Sequence, residues 1–279
     1  MKNGILIINK PKDYTSRDVV NRLNMIFETK KIGHTGTLDP LATGVLVIAI
    51  GTYTKLVNEL TSLDKEYIAE IKLGIKTDTS DITGNILEKN ENYNISKEDI
   101  INAFNNFPKN YEQTVPAYSA VKINGKKLYE YARENIKIDL PKRLVSIYSL
   151  ELLDFNNDVI KFKTKVSKGT YIRSLIEDVC TKLGVLGTMN NLVRTKQGKF
   201  SISDAIDLSS VKSDTKLLKS RDVLSARDYK LDDVLYKRVI NGNKLKLELE
   251  DGYYNMIYNS SDIALYKFSY NEGRLVMFY

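Results

Sequence analysis

Residues 33–46 read GHTGTLDPLATGVL and pack three glycines, three threonines, the only histidine of the chain and an Asp-Pro step into one loop. The proline drives Asp39 out of the helical region toward extended geometry, and the flanking glycines permit tight turns, so this loop can present a carboxylate. The same dipeptide also starts turns and caps where no chemistry is done. His34 has no second histidine or cysteine to complete a nucleophile pair, which favours a hydrogen-bonding or stacking role over that of a base. Arg173 falls in the first turn of a predicted helix, where the macrodipole and the unpaired amides disfavour a cation, so it calls for an anionic partner. Glu177, one turn on, is one choice. A carboxylate from another segment is the other, with Asp39 the candidate, and sequence alone ranks neither.

A second group surrounds the turn Asn124-Gly125, where Tyr118, Lys122, Lys126, Lys127, Tyr129, Tyr131 and Arg133 interleave cations with aromatic rings. That is the composition of a surface that grips phosphates and stacks on bases, and equally of a half-buried hairpin with solvated lysines. DTSDITG at 78–84 lacks the acidic spacing of a calcium loop and reads as a polar turn. Neither a phosphate-binding P-loop nor a dinucleotide fingerprint occurs, so nothing points to ATP or NAD. One histidine and one cysteine, Cys180, are too few for a zinc or iron site, and no metal is expected. A single cysteine also rules out an internal disulfide and suits a reducing compartment. The balance of 42 Lys+Arg against 35 Asp+Glu, net +7, favours a polyanionic partner only weakly.

These residues need a scaffold, and 279 residues can bury a substantial core. ILIIN at 5–9 reads as a strand stopped by Lys-Pro. Thr15 and Ser16 then offer caps to a helix with Val19, Val20, Leu23, Ile26 and Phe27 on one face. VLVIAI at 45–50 reads as a buried strand, and EYIAEIKLG as an alternating one with Tyr67 on its core side. Ser96 and Asp99 form a capping box for a second helix. Asn124-Gly125 predicts a hairpin, 144–153 and 159–166 predict strands, and Thr170 predicts the cap of a helix that buries Ile172, Leu175, Ile176, Val179 and Leu183. A polar, lysine-rich stretch from Ser209 to Arg227 suggests a boundary. Beyond it, alternating Leu245, Leu247 and Leu249 and a tyrosine-dense tail of strands predict a small β-rich domain. The fold class is α+β. The amino terminus has too short an apolar run for a signal peptide and no later segment has the length of a membrane span, so a cytoplasmic protein without membrane contact is expected.

In their order along the chain, GHTGTLDPLATGVL, KEYIAEIKLG, PAYSAVKINGKKLYEYAR, VSKGTYIRSLIEDV and LVRT resemble the TruB family of tRNA pseudouridine synthases, which modify uridine 55 in the T stem-loop. The resemblance runs from ILIINKP to about Phe200. It implies a pseudouridine synthase fold, a mixed and largely antiparallel sheet with flanking helices, plus a small β-rich PUA-like RNA-binding module. The expected division is a catalytic domain over 1–225, with a thumb-like RNA-binding insertion at 114–143, and the module over 226–279. Asp39 matches the catalytic aspartate, Tyr67 the tyrosine that stacks on the target base, and Arg173 the arginine paired with the catalytic carboxylate. Tyr171 and Leu192 match residues lining the pocket. His34 matches the residue that stacks where the substrate nucleotide is displaced, and Lys65, Tyr118, Lys122, Lys126 and Arg133 lie in RNA-contacting stretches. Val115, Val166 and Val193 depart from the pattern, which has proline, cysteine and arginine there, but leave Asp39, Tyr67 and Arg173 in place.

The implied reaction breaks the ribose C1′ to base N1 bond, turns the uracil and rejoins it through C5. It needs no cofactor. Asp39 could add to the base, attack C1′ or remove a ribose proton. The resemblance further implies tRNA as partner, no obligatory protein partner and a monomer. Two rivals stand beside it: a non-catalytic protein that binds and folds tRNA, which would lack one of Asp39, Tyr67 and Arg173, and a dyskerin-type enzyme working in a guide-RNA particle, for which the small tail leaves little docking sequence.

Overall fold

The computed structural model describes residues 2–279. The chain forms two units, one of Met1–Pro40, Leu46–Ser62 and Ser203–Tyr279, the other of Leu41–Val45 and Leu63–Ile202. In the first unit the apolar run Gly4–Lys10 makes a strand that pairs in parallel with Ile206–Asp207 and lies beside Thr43–Ile50. Ile32–His34 pairs antiparallel with the latter, His34 opposite Ile48. The helix Ser16–Ile26 starts at a capping box in which the Thr15 hydroxyl accepts the Asp18 N–H and the Asp18 carboxylate answers Thr15. Val19, Val20 and Leu23 recur at helical spacing and pack on Leu6, Ile8, Leu46 and Ile48.

The second unit is built on five antiparallel strands in the order Gly187–Gln197, Lys65–Leu73, Val159–Val166, Lys142–Asn156 and Asn110–Thr114. Burial alternates residue by residue along Lys65–Leu73, so Tyr67 faces the buried side between Arg194 and Thr164 on the neighbouring strands. Thr43 and Gly44 pair in parallel with Val193 and Arg194. Gly44 has φ +99°, and a Cβ there would sit 2.3 Å from the Arg194 carbonyl oxygen, so the glycine is required by close approach. The helices Lys97–Asn105 and Ile172–Leu183 lie on this sheet, with the Phe104 ring 5.6 Å from that of Phe162. The predicted Thr170 cap is a correction. Tyr171 stays extended as the capping residue, and the Thr170 hydroxyl donates instead to the Ser167 carbonyl at 3.0 Å. The reason is tertiary, because the Gln113 side chain takes both main-chain groups of Tyr171.

Within 114–143 the hairpin Lys122–Ile123 and Lys126–Lys127 turns on Asn124 and Gly125, both at positive φ, and leads into the helix Leu128–Arg133. After residue 226 a separate five-stranded sheet forms in the order Arg227–Lys230, Gly252–Tyr258, Ser261–Ser269, Glu272–Phe278 and Leu245–Lys246. One element here is additional to the expected strands, and one expectation changes. Asp233–Ile240 is a helix, capped by Asp232 accepting the Leu235 N–H at 2.7 Å. The leucine alternation yields only the two-residue strand Leu245–Lys246, because Leu247 and Leu249 pack on the sheet's core without pairing as a strand. None of the helices in the described residues is long and apolar enough to cross a membrane.

Within the first unit a buried polar network joins this sheet to Tyr53. Its hydroxyl accepts the Ser220 N–H at 3.0 Å, the Ser220 hydroxyl donates to the Asn255 side-chain oxygen at 2.7 Å, and the Tyr279 hydroxyl bonds to both. Lys267 and Glu59 pair at 3.2 Å nearby. Tyr53→Phe leaves the buried Ser220 N–H without its acceptor and is expected to cost about 1–3 kcal/mol, measured by urea unfolding. An unchanged urea midpoint would show that the network contributes nothing.

Candidate active site

Asp39 owes its position to its neighbours. The Ser16 hydroxyl takes both main-chain groups of Leu38, accepting the N–H at 2.9 Å and donating to the carbonyl at 3.3 Å. On the other side the Pro40 carbonyl accepts the Asp13 N–H at 2.8 Å and the Lys10 ammonium at 3.2 Å. Lys10 is fully buried and also donates to the carbonyls of Pro11 and Tyr14. A buried ammonium is costly unless its protons find acceptors, and three carbonyls surround this one. Asp39, half-buried, thus lies between two residues whose backbones are fixed. Thr35 is held by its N–H donating to the Val47 carbonyl at 3.1 Å, and the His34 ring accepts the Gly36 N–H at its Nδ1. The sequence reading assigned Lys10 only to the end of a strand and Ser16 only to a cap. The run NKPKDYTS, which begins in the last two residues of the first strand, is the signal for both.

In the second unit Tyr67, Lys65 and Leu192 lie on adjacent strands, Leu192 opposite Ala69. Lys65, expected among RNA contacts, is buried and donates to the Leu63 carbonyl at 2.5 Å. Burial, reinforced by the Arg194 guanidinium, pulls its ammonium down from 10.5 to about 8. Arg194, opposite Tyr67 and 1% exposed, donates from Nε to the Val45 carbonyl at 2.6 Å. In the sequence nothing marks this arginine, since a lone arginine in LVRT has no periodicity.

Tyr171 and Arg173 stand at the start of Ile172–Leu183. Arg173 is buried, and two of its guanidinium nitrogens donate to the carbonyls of Thr79 at 3.0 Å and Tyr118 at 2.9 Å. Glu177, one of its two expected partners, accepts the Ser80 hydroxyl at 2.6 Å. Three of the insertion's cations lie on its own rings, Lys126 at 4.8 Å over Tyr131, and Lys127 and Arg133 each at 5.3 Å over Tyr129. Lys126 also pairs with Glu134, while Lys122 and Arg133 are exposed. The second unit thus gathers Lys65, Tyr67, Tyr118, Tyr171, Arg173 and Leu192, and the first holds His34 and Asp39. Among the described residues no group of three or more His, Cys, Asp or Glu side chains could hold a metal ion.

A family model described as TruB family pseudouridylate synthase, N-terminal domain, matches residues 24–172. The chain is 41% identical over 265 residues to the tRNA pseudouridine synthase B of Caldicellulosiruptor saccharolyticus, covering 93% of this chain and 91% of that protein. To the tRNA pseudouridine synthase B of Francisella philomiragia it is 40% identical over 286 residues, covering 98% and 93%. Among solved structures, the crystal structure of a Cbf5-Nop10-Gar1 complex matches at TM-score 0.69 and 23% identity, covering 95% of this chain and 78% of that one. This last likeness is one of fold.

Two outcomes follow from the geometry. Lys10→Met leaves three carbonyls facing an apolar tip and is expected to destabilise the protein by about 2–4 kcal/mol in urea unfolding, where a loss under about 0.5 kcal/mol would contradict the clamp. Lys65 carries its proton up to 10.5 in the unfolded chain but only to about 8 in the folded one. Between those values the unfolded state binds the extra proton, so this group makes stability rise with pH, by up to about 1.4 kcal/mol per unit. Lys65→Met should lack that rise relative to the parent protein when urea midpoints are compared at about pH 8 and about pH 10.

Proposed function

Because the chain belongs to the TruB family of pseudouridylate synthases, we propose that it converts uridine 55 in the T stem-loop of tRNA to pseudouridine, with Asp39 as the catalytic carboxylate. The observation that carries this reading is the clamp on Leu38 and Pro40, which holds the backbone on both sides of Asp39 while leaving its side chain half-buried. Such fixation is what a reacting carboxylate needs and what a turn-forming Asp-Pro does not.

The reaction moves the glycosidic bond from N1 to C5, and C5 gives up its proton while N1 gains one, so atoms and electrons balance within the nucleoside. The chain's own residues supply position and charge. A stacked uridine must leave its loop, at a cost of a few kcal/mol, and Tyr67 and Leu192 recover part of this by receiving the base. His34 fills the space the nucleotide vacates. Asp39 has to remain ionised when the closing pocket sheds water, which desolvation opposes, and Arg173 is its paired cation in this proposal. Addition to the base, attack on C1′ and removal of a ribose proton all share that requirement. Lys122 and Arg133, exposed at the insertion, meet the phosphates.

The test uses the purified protein alone with an unmodified tRNA transcript, mapping pseudouridine by base-specific chemical labelling. A single new pseudouridine at position 55 is expected. Asp39→Asn is expected to abolish it while keeping the dissociation constant for tRNA within about threefold, since the substitution removes charge from the reacting centre and little contact area. Turnover by Asp39→Asn would sink the catalytic assignment.

A further inference from the structure

The first turn of the helix Ile172–Leu183 is fastened at two points to the strand Asn110–Thr114 that leads into the 114–143 insertion, and at a third to the insertion itself. The Gln113 side chain accepts the Tyr171 N–H at 2.8 Å and donates to the Tyr171 carbonyl at 3.1 Å. The Ser174 hydroxyl donates to the Thr114 carbonyl at 2.8 Å. Arg173, between them in sequence, donates to the Tyr118 carbonyl at 2.9 Å. Gln113 is 1% exposed, and its amide nitrogen also donates to the Tyr111 hydroxyl at 2.9 Å, which in turn donates to the Asp178 carboxylate at 2.8 Å, one more turn along the same helix. Burial and the Asp178 carboxylate push the Tyr111 hydroxyl well up, so it stays a donor. The ends of the insertion close beside this joint, the Val115 N–H donating to the Pro141 carbonyl at 2.9 Å.

We propose that Gln113 and Ser174 are positioning residues for the reaction: they lock the start of this helix to the insertion and so set where Tyr171 and Arg173 aim. Several features support this. A helix can be capped by one hydroxyl, yet here a whole buried amide is given to both main-chain groups of one residue, as a strand partner would be. Tyr171 is thereby kept extended and the helix cannot start a residue earlier. The side chain of Arg173, two residues on, inherits that register. Its guanidinium reaches carbonyls of two separate segments, 79 and 118, so a small slide of the helix start would break both bonds. The joint also runs in the other direction, because a shift of the insertion on gripping RNA pulls on 113, 114 and 118 together.

The inference rests on the reading of Tyr171 and Arg173 as site residues, and the experiment separates the two. Single-turnover rates at saturating enzyme, dissociation constants for the tRNA transcript and thermal melting are measured for the parent protein, Asp39→Asn, Gln113→Glu and Ser174→Ala. Gln113→Glu keeps the side chain's shape and the acceptor for the Tyr171 N–H, but replaces the donor to the Tyr171 carbonyl and the Tyr111 hydroxyl with another acceptor. It is expected to slow the single-turnover step about ten- to hundredfold with tRNA affinity within about threefold, the pattern of a misaimed reacting group. Ser174→Ala, a change small enough to fold whatever Gln113→Glu does, is expected to slow the same step about three- to tenfold with affinity unchanged. Wild-type rates in folded Gln113→Glu and Ser174→Ala, or losses confined to affinity, would overturn the proposal. An inactive parent protein or an active Asp39→Asn would instead overturn the reading of the reaction.

Discussion

The Lys10 ammonium is the constraint on which the Asp39 loop depends. It is fully buried, it is enclosed by the carbonyls of Pro11, Tyr14 and Pro40, and one of these belongs to the residue after Asp39. A charge taken out of water is tolerable only when its donors are answered, so the three carbonyls cannot drift without leaving that cost uncompensated. Ser16 completes the hold on the other side through Leu38. A loop rich in glycine, flexible by composition, is made into a fixed platform by contacts that lie outside it.

The same logic recurs at Arg173. Placing a cation in the first turn of a helix runs against the macrodipole. Carbonyls from Thr79 and Tyr118 meet two of its nitrogens, and the helix start they depend on is held by Gln113 and Ser174. Asp39 is thus held through the side chains of Ser16 and Lys10, and Arg173 through backbone oxygen of Thr79 and Tyr118, in each case by segments distant in sequence. Arg194 answers the Val45 carbonyl in the same way, and Gly44 must lack a side chain so that the two strands can approach.

The five-stranded sheet after residue 226 is small, yet it is not a loosely tethered bead. Tyr53, Ser220, Asn255 and Tyr279 join it to the rest of its own unit, which carries Asp39, through a network in which Tyr53, Ser220 and Asn255 are completely buried. Buried polar networks specify geometry strongly, because a shifted partner leaves a dry donor or acceptor behind.

Much was legible in the sequence because it depends on local physics. A cap at Thr15, the capping box at Ser96, the strict alternation through Tyr67, the Asn124-Gly125 turn and the helix face of Val19, Val20 and Leu23 are set within a few residues, and the structure has each of them. The order of the motifs along the chain also marks the family. What only the tertiary structure decided are the contacts between distant segments: that Lys10 reaches Pro40, that Lys65 is buried beside Arg194, that Gln113 displaces Thr170 from its expected cap, and that Asp233–Ile240 winds into a helix among strands. No spacing rule marks a lysine or a glutamine whose partners are backbone carbonyls and amides elsewhere in the fold. Every residue has such groups, and only the path of the chain determines which of them come within a hydrogen bond's reach.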